Sequence, residues 1–382
     1  MDWHIITGEF PPEPGGVADY TWELAKALSK GTQEEVHIWT PEVESGGRGL
    51  ERVHVHHLSK GFGFRWLQEL DRGLARYGSA DPLIVQYVPH MYGWKAMNLG
   101  FCFWLTRQRH RILSVMFHEV AYPLKSDQPL RHRLLALVNR VMARIVLKRA
   151  NYSFTSIEPY RQLLNRLAPD VQVELMRICS NVPFTWGAHR AENGTPAGAA
   201  HKTVGIFSSF GSGISALLEP IIPSILESDA IQVRLIGPAS SLVSSICERY
   251  PQYRPRLSTS GRVPAAEVGP QLTSCDLLLQ LYPDGAAAAR GTLVAALASG
   301  VPVVTNFGHL TEPLFKAKNA VAFCDCTPES VREVVEGLLS DDAAARELGI
   351  AGRQLYDEQF DISVSVKQLR ATVAKSVVSV RC

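Results

Sequence analysis

The sequence predicts an α/β chain of two Rossmann-like domains, each a parallel sheet covered by helices, and three observations carry that prediction. Short β-branched, apolar runs alternate with helix-length amphipathic stretches through the first 160 or so residues. A Gly-, Ala-, Thr- and Pro-containing segment without hydrophobic period, 185–202, then interrupts the alternation. The alternation resumes after it, in a chain of 382 residues, longer than one hydrophobic core usually organises.

The first domain is read over 1–184. It opens with the strand-like HIIT, a helix from Val17 to Lys30 and the strand VHIWT, which is β-α-β order. RVHVHHL, a helical segment over Phe64–Arg76, PLIVQYV, a helical segment over Trp94–Arg107, ILSVMFHE, a long helix Leu130–Arg149 and YSFTS continue it. Parallel strands joined by helices give a doubly wound sheet, with ligands at the carboxyl ends of its strands. The second domain, 203–356, repeats the pattern in TVGIF, VRLIG, DLLLQLY and VPVVT. The end of the chain, 357–382, reads as a helix that crosses back to the first domain, and the cleft between the domains is the expected ligand site.

Composition narrows the function classes. No apolar run reaches the length of a membrane span, and the start MDWHIITGEFPP lacks the basic and apolar regions of a signal peptide, so a cytoplasmic protein is expected. Seven scattered cysteines fit reduced thiols and offer no zinc spacing, so no metal is expected. Net charge is +2, but residues 1–190 hold 23 Lys and Arg against 18 Asp and Glu. The excess concentrates in 101–150, where Arg107, Arg109, Arg111, Lys125, Arg131, Arg133, Arg140, Arg144, Lys148 and Arg149 face only Glu119 and Asp127. Two readings stand: peripheral contact with the inner membrane face, or solvated helix faces. No nucleic-acid motif accompanies the charge.

The first strand is followed by Pro11-Pro12, Gly15-Gly16 and a helix, where paired glycines let a backbone approach a ligand and helix N–H groups face it; an ordinary strand-to-helix turn uses the same residues. His118 ends the hydrophobic strand SVMF at the sheet's carboxyl edge, as a ligand contact or as a histidine satisfied within a turn. In the second domain Gly211, Ser212 and Gly213 lie between a strand and a helix, in a loop suited to phosphate.

These marks together resemble glycosyltransferase family 4, retaining nucleotide-sugar enzymes of the GT-B fold. The Pro-Pro and Gly-Gly pairs look like its acceptor loop, and Gln86-Tyr87-Val88-Pro89, Phe117-His118-Glu119, Thr155-Ser156 and Ser180-Asn181-Val182-Pro183 fall in family order. The resemblance places Gly15, Gly16, Asp19 and Glu119 on the acceptor side and His118 on the donor sugar. It gives the donor side Gly211, Ser212, Gly213, Arg262 near the base or ribose, and the segment Asp284-Gly285 to Arg290-Gly291-Thr292-Leu293. The turn His309-Leu310-Thr311-Glu312 joins them; it is equally a strand-to-helix turn. Two departures stand out. Where the family carries two glutamates seven residues apart, this chain has Ala287 and Ala295, and no Lys or Arg occurs between Lys202 and Arg234. Arg290 is thus the cation expected to meet the diphosphate, with His118 as its catalytic partner and no cofactor. The resemblance implies sugar transfer to a glycan, lipid-linked or small-molecule acceptor. A nucleotide-sugar-binding or partner subunit without catalysis, and a nucleotide-sugar epimerase, are the other readings on the same fold.

Overall fold

The computed structural model describes residues 1–13, 15–31, 33–42, 50–184 and 201–380. The chain forms two compact units, Met1–Arg177 together with Ile362–Cys382, and Ile178–Asp361. Most of the expected linker, 185–200, lies outside the described residues, and Lys202 already begins a strand.

The first unit runs β1 (Trp3–Ile6), α1 (Gly16–Ser29), β2 (Val36–Pro41), β3 (Val53–Leu58), α2 (Phe64–Leu74), β4 (Leu83–Tyr87), α3 (Leu99–Arg107), β5 (Leu113–Phe117), α4 (Leu130–Arg149), β6 (Tyr152–Thr155), α5 (Glu158–Leu167) and β7 (Val173–Leu175). Its seven parallel strands stand in the order β3-β2-β1-β4-β5-β6-β7. β1, β4 and β5 are buried along their whole length, as their continuous apolar runs require once helices cover both faces. Trp66, Leu70 and Leu74 of α2 and Phe101, Trp104 and Leu105 of α3 fill one side of this core.

The helical expectation over Trp94–Arg107 needs correction here. Trp94–Ala96 is a separate 3-10 turn with φ of 53°, 53° and 65° at its three residues. The α-helix starts only at Leu99, where Asn98 Oδ1 accepts from Phe101 N at 2.9 Å and so caps its first turn.

The second unit runs β8 (Lys202–Phe207), α6 (Ser212–Leu218), α7 (Ile221–Leu226), β9 (Ile231–Ile236), α8 (Ser240–Arg249), β10 (Leu257–Thr259), α9 (Ala265–Thr273), β11 (Leu277–Gln280), α10 (Gly291–Ser299), β12 (Val303–Asn306), α11 (Pro313–Ala317), β13 (Ala322–Cys324), α12 (Pro328–Ser340) and α13 (Asp342–Gln359). Six parallel strands in the order β10-β9-β8-β11-β12-β13 repeat the topology of the first sheet. The order reverses beside β8, as it does beside β1, and such switch points are where open α/β sheets bind ligands.

The last helix, α14 (Ile362–Val380), belongs to the first unit. Gln368 Nε2 donates to Leu175 O at 3.1 Å, and Arg370 donates to Leu28 O and pairs with Glu34 at 2.6 Å. It is not continuous with the helix before it. Phe360 and Asp361 break the two, with Phe360 fully buried and stacked on Phe315.

Candidate functional site

In the first unit, the carboxyl edge of the sheet carries the turn after β1 and His118 after β5. β1 ends at Ile6, and Thr7 Oγ1 donates to Glu9 O at 2.8 Å, which turns the chain toward α1. Glu9 Oε1 then accepts from Val17 N at 3.2 Å and Ala18 N at 3.1 Å. The expectation that α1 offers these N–H groups to a ligand is therefore corrected: the Glu9 carboxylate already occupies the positive end of the helix. A side chain at Gly15 would collide with that carboxylate, which explains this glycine without a ligand. Gly16 is exposed and faces open space, and Asp19 sits one turn further on, its N–H bonded to Gly15 O.

His118 follows β5, with its N–H on Tyr87 O at 3.0 Å. Its Nε2 lies 2.7 Å from the side-chain amide of Gln86, a fully buried residue near the end of β4, which fixes the orientation of the ring. The Tyr20 ring meets the imidazole edge-on at 5.2 Å. Burial pushes the His118 pKa down to about 3, so the ring stays neutral at any ordinary pH. Glu119, next in the chain, turns outward to His90 Nδ1 at 3.4 Å. Gln86 and Tyr20 hold the imidazole. Their separation from His118 in the chain hides the pairing from any local pattern.

In the second unit, the loop after β11 carries the densest polar cluster of the predicted site. Tyr282 is buried, and its hydroxyl lies 2.7 Å from Thr292 Oγ1 and 3.0 Å from the Gln280 amide. Burial raises the phenol pKa, so it remains a neutral hydrogen-bonding group. Above it, Arg290 caps the start of α10, with its guanidinium 5.3 Å from the Tyr282 ring and Nη2 2.9 Å from Asp284 Oδ2. Gly291 has nothing within 4 Å of where a Cβ would stand, so the first turn of α10 opens onto free space beside Arg290.

Asp284 ties this loop to the next. Leu310 N donates to Asp284 O at 2.9 Å, Glu312 N to Ala286 O at 3.0 Å, and His309 Nδ1 lies 4.0 Å from Asp284 Oδ1. Gly285, at φ 87°, packs so tightly on Gly308 and Thr311 that a Cβ there would overlap both. Thr311 Oγ1 accepts from Gly308 N at 2.8 Å. Asp284, Gly285, Arg290, Thr292, His309, Leu310, Thr311 and Glu312 are thus one assembly.

Gly211, Ser212 and Gly213 are exposed at the start of the seven-residue α6, and a Cβ on Gly213 would stand 3.8 Å from Pro283 of the same assembly. Arg262 is exposed beside Gly261, beyond the end of β10. Ala287 and Ala295 are both sealed in the core, at 2% and 0% exposure. Carboxylates in these two places would be buried charges, so the alanines fit the packing.

A family model described as glycosyl transferase-like matches residues 215–371. No curated protein matches the chain. Solved structures similar to it include sucrose-phosphate synthase from Thermosynechococcus elongatus, 14% identical, with a TM-score of 0.71 over 99% of this chain and 100% of that one. Anabaena HepE in complex with UDP is 12% identical, with a TM-score of 0.68 over 98% and 100%. A glycosyltransferase from Rickettsia africae is 12% identical, with a TM-score of 0.68 over 98% of each chain. At these identities the structural likenesses show the fold, two parallel-sheet Rossmann-like units of GT-B type. Residues 215–371 are thus similar to a glycosyl transferase-like family, in a chain whose two parallel-sheet units have the GT-B fold.

Proposed function

We propose that this protein binds a nucleoside-diphosphate sugar and transfers the sugar, with retention of configuration, to a glycan, a lipid-linked or a small-molecule acceptor. The observation that carries the reading is Arg290 at the open N-terminus of α10, inside the segment that matches the glycosyl transferase-like family. Negative charge grows on the departing diphosphate during transfer, and a guanidinium beside helix N–H groups is placed to stabilise it. The exposed Gly211–Gly213 turn adds further backbone donors. HepE, solved with UDP, with UDP and glucose, and with UDP-glucose, supports a nucleotide sugar as donor for this fold.

On the first unit, neutral His118, its Nε2 held by Gln86, presents its other ring nitrogen, Nδ1, to hydrogen-bond a sugar hydroxyl. His118→Ala is expected to lower kcat/KM for transfer by roughly 10- to 100-fold, the worth of one well-placed hydrogen bond in a dry site, while nucleoside diphosphate alone binds as before. Equal loss of diphosphate binding would place His118 elsewhere than on the sugar.

The alanines at 287 and 295 favour a second reading, a subunit that binds the donor without transferring it. An assay that follows the donor with and without acceptor separates the possibilities. Acceptor-dependent release of the nucleoside diphosphate supports transfer; conversion of the donor sugar without acceptor supports epimerisation; binding with neither supports the subunit.

A further inference from the structure

The helix α4 of the first unit has twenty residues, six of them Lys or Arg and none Asp or Glu. One face is ordinary core: Ala136, Asn139, Met142, Ala143, Val146 and Leu147 are buried. The opposite face is not what balances such a core in a solvated helix. Leu130, Leu134, Leu137 and Val141, spaced by four, three and four residues, form a single stripe with 80%, 57%, 52% and 50% of their surface in water. The same stripe ends in exposed Arg144 and Lys148. Just before the helix, exposed Tyr122 and Leu124 extend the apolar surface, with the Tyr122 ring 5.5 Å from His132.

The structure also sorts the arginines of this region by what they do. Arg111 donates to Gly78 O and Leu74 O, Arg149 to Arg111 O, Arg140 to Tyr122 O and Ala136 O, and Arg144 to Leu167 O, so these four staple the fold, and Lys148 pairs with Asp170. Arg131 and Arg133 are exposed on either side of the leucine stripe and make no ion pair among the described residues. A leucine ridge flanked by uncommitted cations, without a carboxylate on the helix, matches an interface with anionic lipid: apolar side chains enter the headgroup boundary and guanidiniums meet phosphates. A second copy of this chain fits less well. A two-fold interface sets a patch against itself, which would bring the arginines of both copies together with no acidic side chain of α4 to neutralise them.

We propose that α4 docks this protein on an anionic lipid surface, lying in the plane of the membrane with the Leu130, Leu134, Leu137 and Val141 stripe immersed and Arg131 and Arg133 on lipid phosphates. No helix among the described residues is long and apolar enough to span the bilayer, so the contact is peripheral. The docking does not depend on whether the protein transfers a sugar, and its test needs no donor or acceptor.

The test is co-sedimentation of the full chain with vesicles of phosphatidylcholine alone and with phosphatidylglycerol added, at low and high salt. The wild type is expected to bind the anionic vesicles, to release with salt and to ignore the zwitterionic ones. Arg131→Gln with Arg133→Gln is expected to lower partitioning roughly 10- to 30-fold, and Leu134→Asp with Leu137→Asp to abolish it. All four side chains lie outside the core, and unchanged circular dichroism and melting would show the variants folded. Binding that survives both double substitutions, or no binding to anionic vesicles at all, overturns the proposal. So does self-association in the ultracentrifuge that only the leucine substitutions remove, which would make the stripe a contact between copies.

Discussion

Arg290→Ala is expected to weaken nucleoside-diphosphate binding by roughly 10- to 100-fold and to lower transfer by a further 100-fold or more. The side chain is a compact case for such a loss. It stands at the start of α10, stacks over the buried Tyr282 ring and spends one N–H pair on Asp284. The remaining guanidinium donors are directed by those two neighbours, and no Lys or Arg lies between Lys202 and Arg234 to replace them. Because charge on the diphosphate is larger in the transition state than in the bound donor, the rate should suffer more than the affinity. Calorimetric titration of the variant with nucleoside diphosphate, beside its initial rates, checks both numbers. Equal effects on affinity and rate would mean that Arg290 binds the donor without favouring its cleavage.

Lowering the pH from 7.5 to 5 is expected to remove roughly 2–3 kcal/mol of stability, through a histidine cluster in the first sheet that sugar chemistry does not use. His4, His37 and His56 sit on neighbouring strands with Trp39 and Tyr77. His4 stacks on His37 at 5.0 Å, His37 Nδ1 lies 3.0 Å from His56 Nε2, and His56 stacks on Trp39 at 4.1 Å. Burial and neighbouring positive groups push His4 down to about 3 and His56 to about 4. His37 moves the same way by burial and His54, against the pull of Asp2, Glu35 and Asp81. All three are thus neutral in the fold, whereas in the unfolded chain they take up a proton near pH 6.5. Their contribution is complete above that pH and is lost as the pH falls toward 4 and 3. At pH 5 the fully buried His4 costs roughly 2 kcal/mol and the partly exposed, solvent-screened His56 less, still a large share of the stability of an ordinary domain. Melting curves across this range check the slope, and His56→Gln should flatten it. A melting temperature that stays level between pH 7 and 5 would contradict the account.

The fold was legible because its signals are local and repeated. The apolar runs HIIT, LIVQY and SVMF each lie in a buried strand, and the apolar and basic periodicity of 130–149 marks α4 with no error at either end. The strands β7, β10 and β13 have three residues each, too few for a period to be read, and sheet pairing alone defines them. The site was legible in part for the same reason. Arg290 before an apolar helix and His118 after an apolar strand are positions that local pattern announces. What shapes them is not local: Gln86 lies 32 residues from His118, and Tyr282 reaches Thr292 across a loop and a helix turn. Glu9 shows the converse. A Gly-Gly turn before a helix reads as an anion site, until a carboxylate from the preceding turn is found already bound there.

The central claim is that the second unit holds a nucleotide sugar at Arg290. Calorimetric titration of the wild-type chain with UDP-, GDP-, ADP- and TDP-sugars tests it most directly. The account predicts saturable binding of one nucleotide class at one site per chain, competed by the matching free diphosphate. Absence of binding with all four would contradict it.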